Sequence, residues 1–181
     1  MNIVKLVKQA KRGNKESLLQ LIMTEKDTYY RLAYTYMGNP HDAMDALEEM
    51  IVILYEKIDQ LKSEKAFYSW SKTVLVNTCK SMLKQQSRLV LQEDMMLDGK
   101  EARQTAAIND PYRSSDQQMD MQQMLQVLNE QQKEAVMLKY WHDLDYETIA
   151  AITDTSIGTV KSRVFQGLKK LRERYGGEQL G

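Results

Sequence analysis

Apolar residues recur three and four positions apart along most of this chain, which is the period of amphipathic helices. Ile3, Val4, Leu6, Val7 and Ala10 predict a short helix ending near Gly13. Ser17 to Glu25 and Tyr29 to Met37 predict two more, with Gly38 and Asn39 as the stop. Asn39-Pro40-His41-Asp42 is a helix start. Asn39 can cap, Pro40 suits the first helical position, and Asp42 falls in the first turn, where negative charge is favoured. The helix that follows carries Ala43, Ala46, Leu47, Met50, Ile51, Leu54 and Ile58 on one face. Phe67 and Trp70 open another, which continues through Val74, Thr78, Met82 and Leu83. No run alternates apolar and polar residues between turn signals, so no strand is predicted.

The pattern fades after Met96 into polar and small residues with Pro111 among them, and resumes at Met119, Met121, Met124, Leu125 and Leu128. The expected fold is therefore all-α, with two small helical domains joined by a flexible linker. The domains are expected over residues 1–86 and 118–176, with the linker at 87–117. The second domain ends in a helix-turn-helix. Gln131 to Tyr140 is a helix with Ala135, Val136, Met137 and Leu138 turned inward, and Asp143-Leu144-Asp145 breaks it. Asp145 then caps a short helix, Tyr146 to Ile152, and Ser156 caps the next. Two capped helices with a short turn between them make the motif, and Ala150 supplies a small side chain where they cross.

At about 100° per residue, Val160, Val164, Leu168 and Leu171 of the last helix share one inward stripe. Ser162, Gln166 and Lys169 point the opposite way, flanked by Thr159, Arg163 and Lys170 on one side and Phe165 on the other. Lys161 sits at the stripe's edge. Hydroxyls, an amide, an aromatic ring and cations are the groups that reach base edges and phosphates in a major groove.

Charge sharpens this picture once it is read locally. The whole chain is neutral, with 25 basic and 25 acidic residues, so the global basic signature of a DNA binder is missing. Yet Met119 to Asp154 holds two basic and seven acidic residues, whereas Thr155 to Tyr175 holds six basic and one acidic. The last helix is a basic stripe behind an acidic segment. A single cysteine, Cys79, precludes an internal disulfide and reads as a small buried apolar residue. The two histidines, His41 and His142, have no ligand companions at a metal spacing, and no phosphate-binding glycine loop is present. No catalytic residue, metal, cofactor or small-molecule substrate is expected. With no signal-peptide pattern and no long apolar run, a cytoplasmic protein is expected.

Leu144 to Ala150 followed by Ser156 to Arg163, preceded by Leu128 to Val136, resembles region 4 of bacterial sigma factors of the extracytoplasmic-function group. Tyr30 to Tyr34, Gly38 to Asp45, Glu48-Glu49, and then Phe67, Trp70 and Asn77 resemble sigma region 2. The resemblance covers nearly the whole chain in the family's order. It implies a protein that binds core RNA polymerase and carries it to promoter DNA, with an anti-sigma factor as a further partner. Polymerase docking would fall on Asp42, Asp45, Glu48 and Glu49. Minus-10 contacts would fall on Asn77, Lys80 and Lys84, with capture of a flipped base at the loop from about Lys62 to Tyr68. Minus-35 contacts would fall on Ser156, Thr159, Lys161, Ser162, Arg163, Phe165, Gln166, Lys169 and Lys170. Several positions depart from the pattern. Asp154 stands where Gly is common, Gln166 where Arg is, Glu48 where Gln is, and Ser71 and Thr73 where Leu and Arg are. Ser81 and Met82 replace a common acidic and basic pair, and from these last four departures, Ser71, Thr73, Ser81 and Met82, an unusual minus-10 element would follow. The alternative is a helix-turn-helix regulator that does not join polymerase, which would have no need of the Asp42 to Asn77 constellation.

Overall fold

The computed structural model describes residues 1–94 and 110–176. The chain divides into two units, Met1–Thr105 and Ala106–Gly181, and every regular element among the described residues is helical.

The first unit contains α1 (Ile3–Lys11), α2 (Lys15–Thr24), α3 (Lys26–Met37), α4 (Pro40–Lys57) and α5 (Phe67–Asp94). Short polar side chains start three of them. Asn2, Asn14 and Asn39 each accept a hydrogen bond from the backbone N–H three residues on, which satisfies a donor the helix itself leaves unpaired. Gly38 ends α3 in the left-handed conformation at φ 81°, where a Cβ would be strained. α3 packs on α4, both pack on α5, and α1 packs on α2. Tyr29, Leu32, Met50, Leu54, Phe67 and Leu75 fill the space between them and are sealed from solvent. A buried polar pair sits in this core: the Tyr29 hydroxyl and Ser71 Oγ lie 2.7 Å apart. Ser71 also donates to the Tyr68 carbonyl, so Tyr29 is the donor to Ser71. Burial holds the phenol well above its ordinary pKa. Cys79 is fully buried too, and burial pushes its thiol up to about 12. It is a packing residue, not a reactive one.

α5 runs on past residue 86, where the sequence pattern closes the first domain, to Asp94. No Gly or Pro interrupts it. Leu89 and Leu91 in its last turns are exposed. The helix stays regular past residue 86 while these apolar side chains face solvent. At the other end of the expected linker, Asp110 is buried and organises a turn. It accepts from the Tyr112 N–H and the Arg113 guanidinium, with Pro111 preset for the turn. α6 then starts at Ser115. The central part of the linker, 95–109, lies outside the described residues.

The second unit contains α6 (Ser115–Leu125), α7 (Glu130–Tyr140), α8 (Tyr146–Thr153) and α9 (Ile157–Tyr175). Ser114 with Gln117, and Asn129 with Gln132, form reciprocal capping boxes. Met121, Leu125, Leu128, Val136, Met137 and Leu171 form a core joining α6, α7 and α9. α9 packs on α7, and Gly167 faces it closely. A Cβ built there would stand 2.8 Å from Val136 Cγ2 and 3.7 Å from Leu128 Cδ1. This α7–α9 contact therefore depends on Gly167, which the sequence pattern does not mark, while Ala150 is buried on α8.

Replacing Gly167 by Ala tests this packing. Better helix propensity would favour Ala by up to about 1 kcal/mol, but Val136 is buried and branched and has little room to move. A net loss of roughly 1–3 kcal/mol is expected. It should lower the melting of the second unit and leave the first unit's transition in place, as read by calorimetry.

Candidate nucleic-acid interface

α8 and α9 are set by three small polar residues. Asp145 accepts from the Thr148 N–H at 2.7 Å and starts α8. Asp154 ends it in the left-handed region at φ 52°, ψ 48°, a conformation that Asp tolerates better than most residues. The Thr155 N–H then closes the turn on the Ala150 carbonyl at 3.0 Å, and Thr153 and Thr155 join hydroxyls at 2.9 Å. Ser156 Oγ accepts from the Thr159 N–H at 3.1 Å and starts α9. This turn fixes which face of α9 is buried.

Val160, Val164, Gly167 and Leu171 are the buried residues of α9. Leu168, expected on that stripe, is only half-buried. The inward centre is rotated by roughly 30° from the expected one, toward Gly167. The opposite face is unaffected by so small a turn. Lys161, Ser162, Phe165, Gln166 and Lys169 are exposed, and Thr159 and Arg163 are half-buried. Phe165 is 63% exposed, far from what core packing would require. Two expected contacts are partly committed elsewhere. Ser156 serves as the cap and shares a hydrogen bond with the Thr159 hydroxyl. Lys170 turns toward α7 and donates to Gln132 Oε1 at 3.1 Å. Tyr146 adds a feature the sequence does not mark, since the ammonium groups of Lys139 and Lys161 lie 4.5 and 5.6 Å from its ring centre.

In the first unit, Asn77, Lys80 and Lys84 follow one another at three and four along α5 and share a stripe. Asn77 and Lys84 are exposed and Lys80 is half-buried. Trp70, seven residues before Asn77, lies on the same stripe. It is half-buried, with its ring edge-on to Phe67 at 6.1 Å. Phe67 is sealed in the core and offers no stacking surface. Ahead of α5, Lys62, Ser63 and Lys65 are exposed, and Glu64 to Ala66 make one tight turn. A backbone N–H of that turn, and then the Lys11 side chain, hold the Glu64 carboxyl below its usual range.

The acidic residues of α4 do not form one set. Asp42 is half-buried and accepts from Asn39 Nδ2 at 2.9 Å and from Gln86 Nε2 of α5 at 3.3 Å. It ties the start of α4 to α5. Asp45, Glu48 and Glu49 are exposed, and α4 also shows Met44, Val52 and Tyr55, each about half exposed. These apolar positions break the period of the buried face, which is the signal that could have found them. His41, Asp42 and Asp45 bring ligand atoms within 4.8 Å of one another, but Asp42 is already engaged and helix-start chemistry accounts for the acids.

Two family models match these two surfaces separately: "Sigma-70 region 2" over residues 21–89 and "Sigma-70, region 4" over residues 118–171. The chain belongs to the sigma-70 family. It is a sigma factor of the extracytoplasmic-function (ECF) group, and such factors bind core RNA polymerase and direct it to promoters. They are transcription initiation factors, not enzymes. The sigma factor SigV of Bacillus subtilis is 29% identical over 174 residues, covering 94% of this chain and 98% of that one. The ECF sigma-E factor of Haemophilus influenzae is 27% identical, covering 93% of each. Among solved structures, the sigma factor RpoE of Bartonella quintana, crystallised with the anti-sigma factor NepR, matches with TM-score 0.66 and 26% identity. The match covers 88% of this chain and 97% of that one. CnrH, solved with the cytosolic domain of CnrY, matches in fold with TM-score 0.66 and 15% identity, over 98% and 99% of the two chains. No helix among the described residues of this sigma factor is long and apolar enough to cross a membrane.

The division among the acids can be tested by stability alone. Asp42→Ala should cost the first unit about 1 kcal/mol, through the lost N-terminal charge and hydrogen bonds. Glu48→Gln and Glu49→Gln should stay within about 0.5 kcal/mol of the parent, as exposed substitutions do. Thermal unfolding followed by circular dichroism separates the two cases.

Proposed function

We propose that this sigma factor docks on core RNA polymerase through Asp45, Glu48 and Glu49 together with Met44, Val52 and Tyr55 of α4. Asp42 holds that helix in place. Desolvating the apolar positions supplies affinity, and the acids orient the encounter with a basic partner surface. Asn77, Lys80 and Lys84, with the loop before α5, engage the minus-10 strand. The outward face of α9, from Thr159 to Lys170, reads the minus-35 element. Ser162, Gln166, Phe165 and Lys169 face base edges. Lys161, Arg163 and Lys170 lie on the flanks, where phosphates run. The factor works in the cytoplasm and itself catalyses nothing. An anti-sigma factor holds it inactive, as the pairing of RpoE with NepR suggests.

The observation that carries this reading is the presence of region 2 and region 4 matches in one chain. A helix-turn-helix regulator that never joins polymerase would need only the second. Mixing the purified chain with core RNA polymerase and genomic DNA, then sequencing the transcripts, should give defined start sites. Failure to bind core polymerase would sink the reading.

Reversing charge at Glu48 and Glu49 together should weaken polymerase binding at least tenfold, or about 1.4 kcal/mol. Gln166→Ala and Lys169→Ala should change base preference at the upstream element, each by about 1–3 kcal/mol at one position. Lys170→Ala should instead weaken binding evenly across sequences and reduce the salt slope by roughly one. Transcription from a randomised upstream element, measured at two salt concentrations, separates these effects.

A further inference from the structure

α1 carries three cations and Arg12 follows at its end. Lys5, Lys8 and Arg12 are exposed, whereas Lys11 is turned into the protein with its side chain 20% exposed. Its ammonium donates to the Leu61 carbonyl at 2.5 Å and to Glu64 Oε1 at 3.2 Å. These two acceptors bracket Lys62 and Ser63, both exposed. The stretch between α4 and α5 buries Ile58 and Leu61 and packs on α1, α4 and α5. Its other backbone hydrogen bonds are local, from the Leu61 N–H to Ile58 and from the Ala66 N–H to Ser63. Beyond it the chain is anchored again, by the buried Phe67 ring and by the Tyr68 hydroxyl bonded to the Leu21 carbonyl at 3.0 Å. Lys11 ties the near side of the tip to α1 through hydrogen bonds from a charged group. A bond between residues 50 positions apart in sequence constrains a loop more than any contact within it can.

We propose that Lys11 is a positioning residue for promoter recognition: by tying Leu61 and Glu64 to α1, it presets the Lys62–Ser63 tip where the separated strand is read. This rests on the assignment of that loop to strand capture. Drawing a base out of its stack is costly, and a protein pocket offsets the cost best when its groups are already in place. A loop that must order on binding loses part of that gain.

The test uses the full chain with core RNA polymerase on a promoter found by genomic transcription, with each base of the downstream element varied in turn. Lys11→Met should flatten the base preference about fivefold at the captured position, the effect of losing a half-exposed charged contact. Affinity for core polymerase should not change. Lys11→Arg should retain the preference, and Glu64→Gln should lose part of it. The double variant Lys11→Met/Glu64→Gln should be no worse than Lys11→Met, since Lys11→Met already removes the contact that Glu64→Gln weakens. A wild-type preference in Lys11→Met, alongside a lost preference in Lys62→Ala/Ser63→Ala, would overturn the proposal and spare the loop's role. Unchanged preference in Lys62→Ala/Ser63→Ala would defeat the loop's role and the proposal together. Should Lys11→Met fail to fold by circular dichroism, Glu64→Gln decides, and a wild-type preference there overturns the proposal.

Discussion

A helix turns about 100° per residue, so the stripe it buries dictates the face it offers. In this sigma factor the outward face of α9 exists only because Val160, Val164, Gly167 and Leu171 face inward. Two things fix that phase. The capped turn from Asp154 to Ser156 sets where α9 begins. The close approach at Gly167 sets how it lies on α7, because any side chain there meets Val136. Were α9 to roll by a single residue, cations would enter the core and valines would face solvent. Interiors packed to crystal density tolerate neither change.

The same logic organises the first unit, where its consequence is electrostatic. The chain is neutral as a whole, yet its charges are sorted by task. Some acids are used in folding: Asp42, Asp110 and Asp145 each accept from neighbouring donors and build a cap or a turn. Others, such as Glu48 and Glu49, are left exposed beside the apolar positions of α4. Basic residues divide likewise. Lys72 pairs with Glu25 at 2.9 Å and Lys11 with Glu64, whereas Lys84 and Lys169 stay exposed. Net charge therefore says nothing about partners here, while the distinction between engaged and exposed charge says a good deal.

Much of this was legible in the sequence, because caps and periodicity are local. Asn39, Asp145 and Ser156 could be read as helix starts from a few neighbours, and the structure shows each doing that. What escaped depends on distant partners. Gly167 looks like a helix defect until Val136 is seen across from it. Asp42 lies three and seven residues before Asp45 and Glu49, and its bond from Gln86, 44 residues on, shows that it is tied to α5. Lys11 is one cation among several on α1 until its carbonyl and carboxylate acceptors are placed. The far end of α5 escaped for another reason. A helix that runs beyond its domain's core keeps its backbone order, so a domain boundary at residue 86 does not mark where the helix ends.

Ser71 shows how such long-range context changes a functional inference. As a departure from a common Leu, it suggested altered recognition of the minus-10 strand. In the structure it is fully buried, bonded to Tyr29 and to the Tyr68 carbonyl. The departure is thus a core exchange, in which a polar pair replaces an apolar contact. Such a pair is tolerable because both hydroxyls are satisfied. Thr73 is half-buried and bonds its hydroxyl to the Ser69 carbonyl of its own helix. The Ser71 exchange argues neither for nor against an unusual promoter element. That question moves to groups that reach solvent on the same unit: Asn77, Lys84, the half-buried Trp70 and the braced tip at Lys62 and Ser63. Specificity in this factor then depends less on which residues differ from the family than on which of those differences lie at the surface.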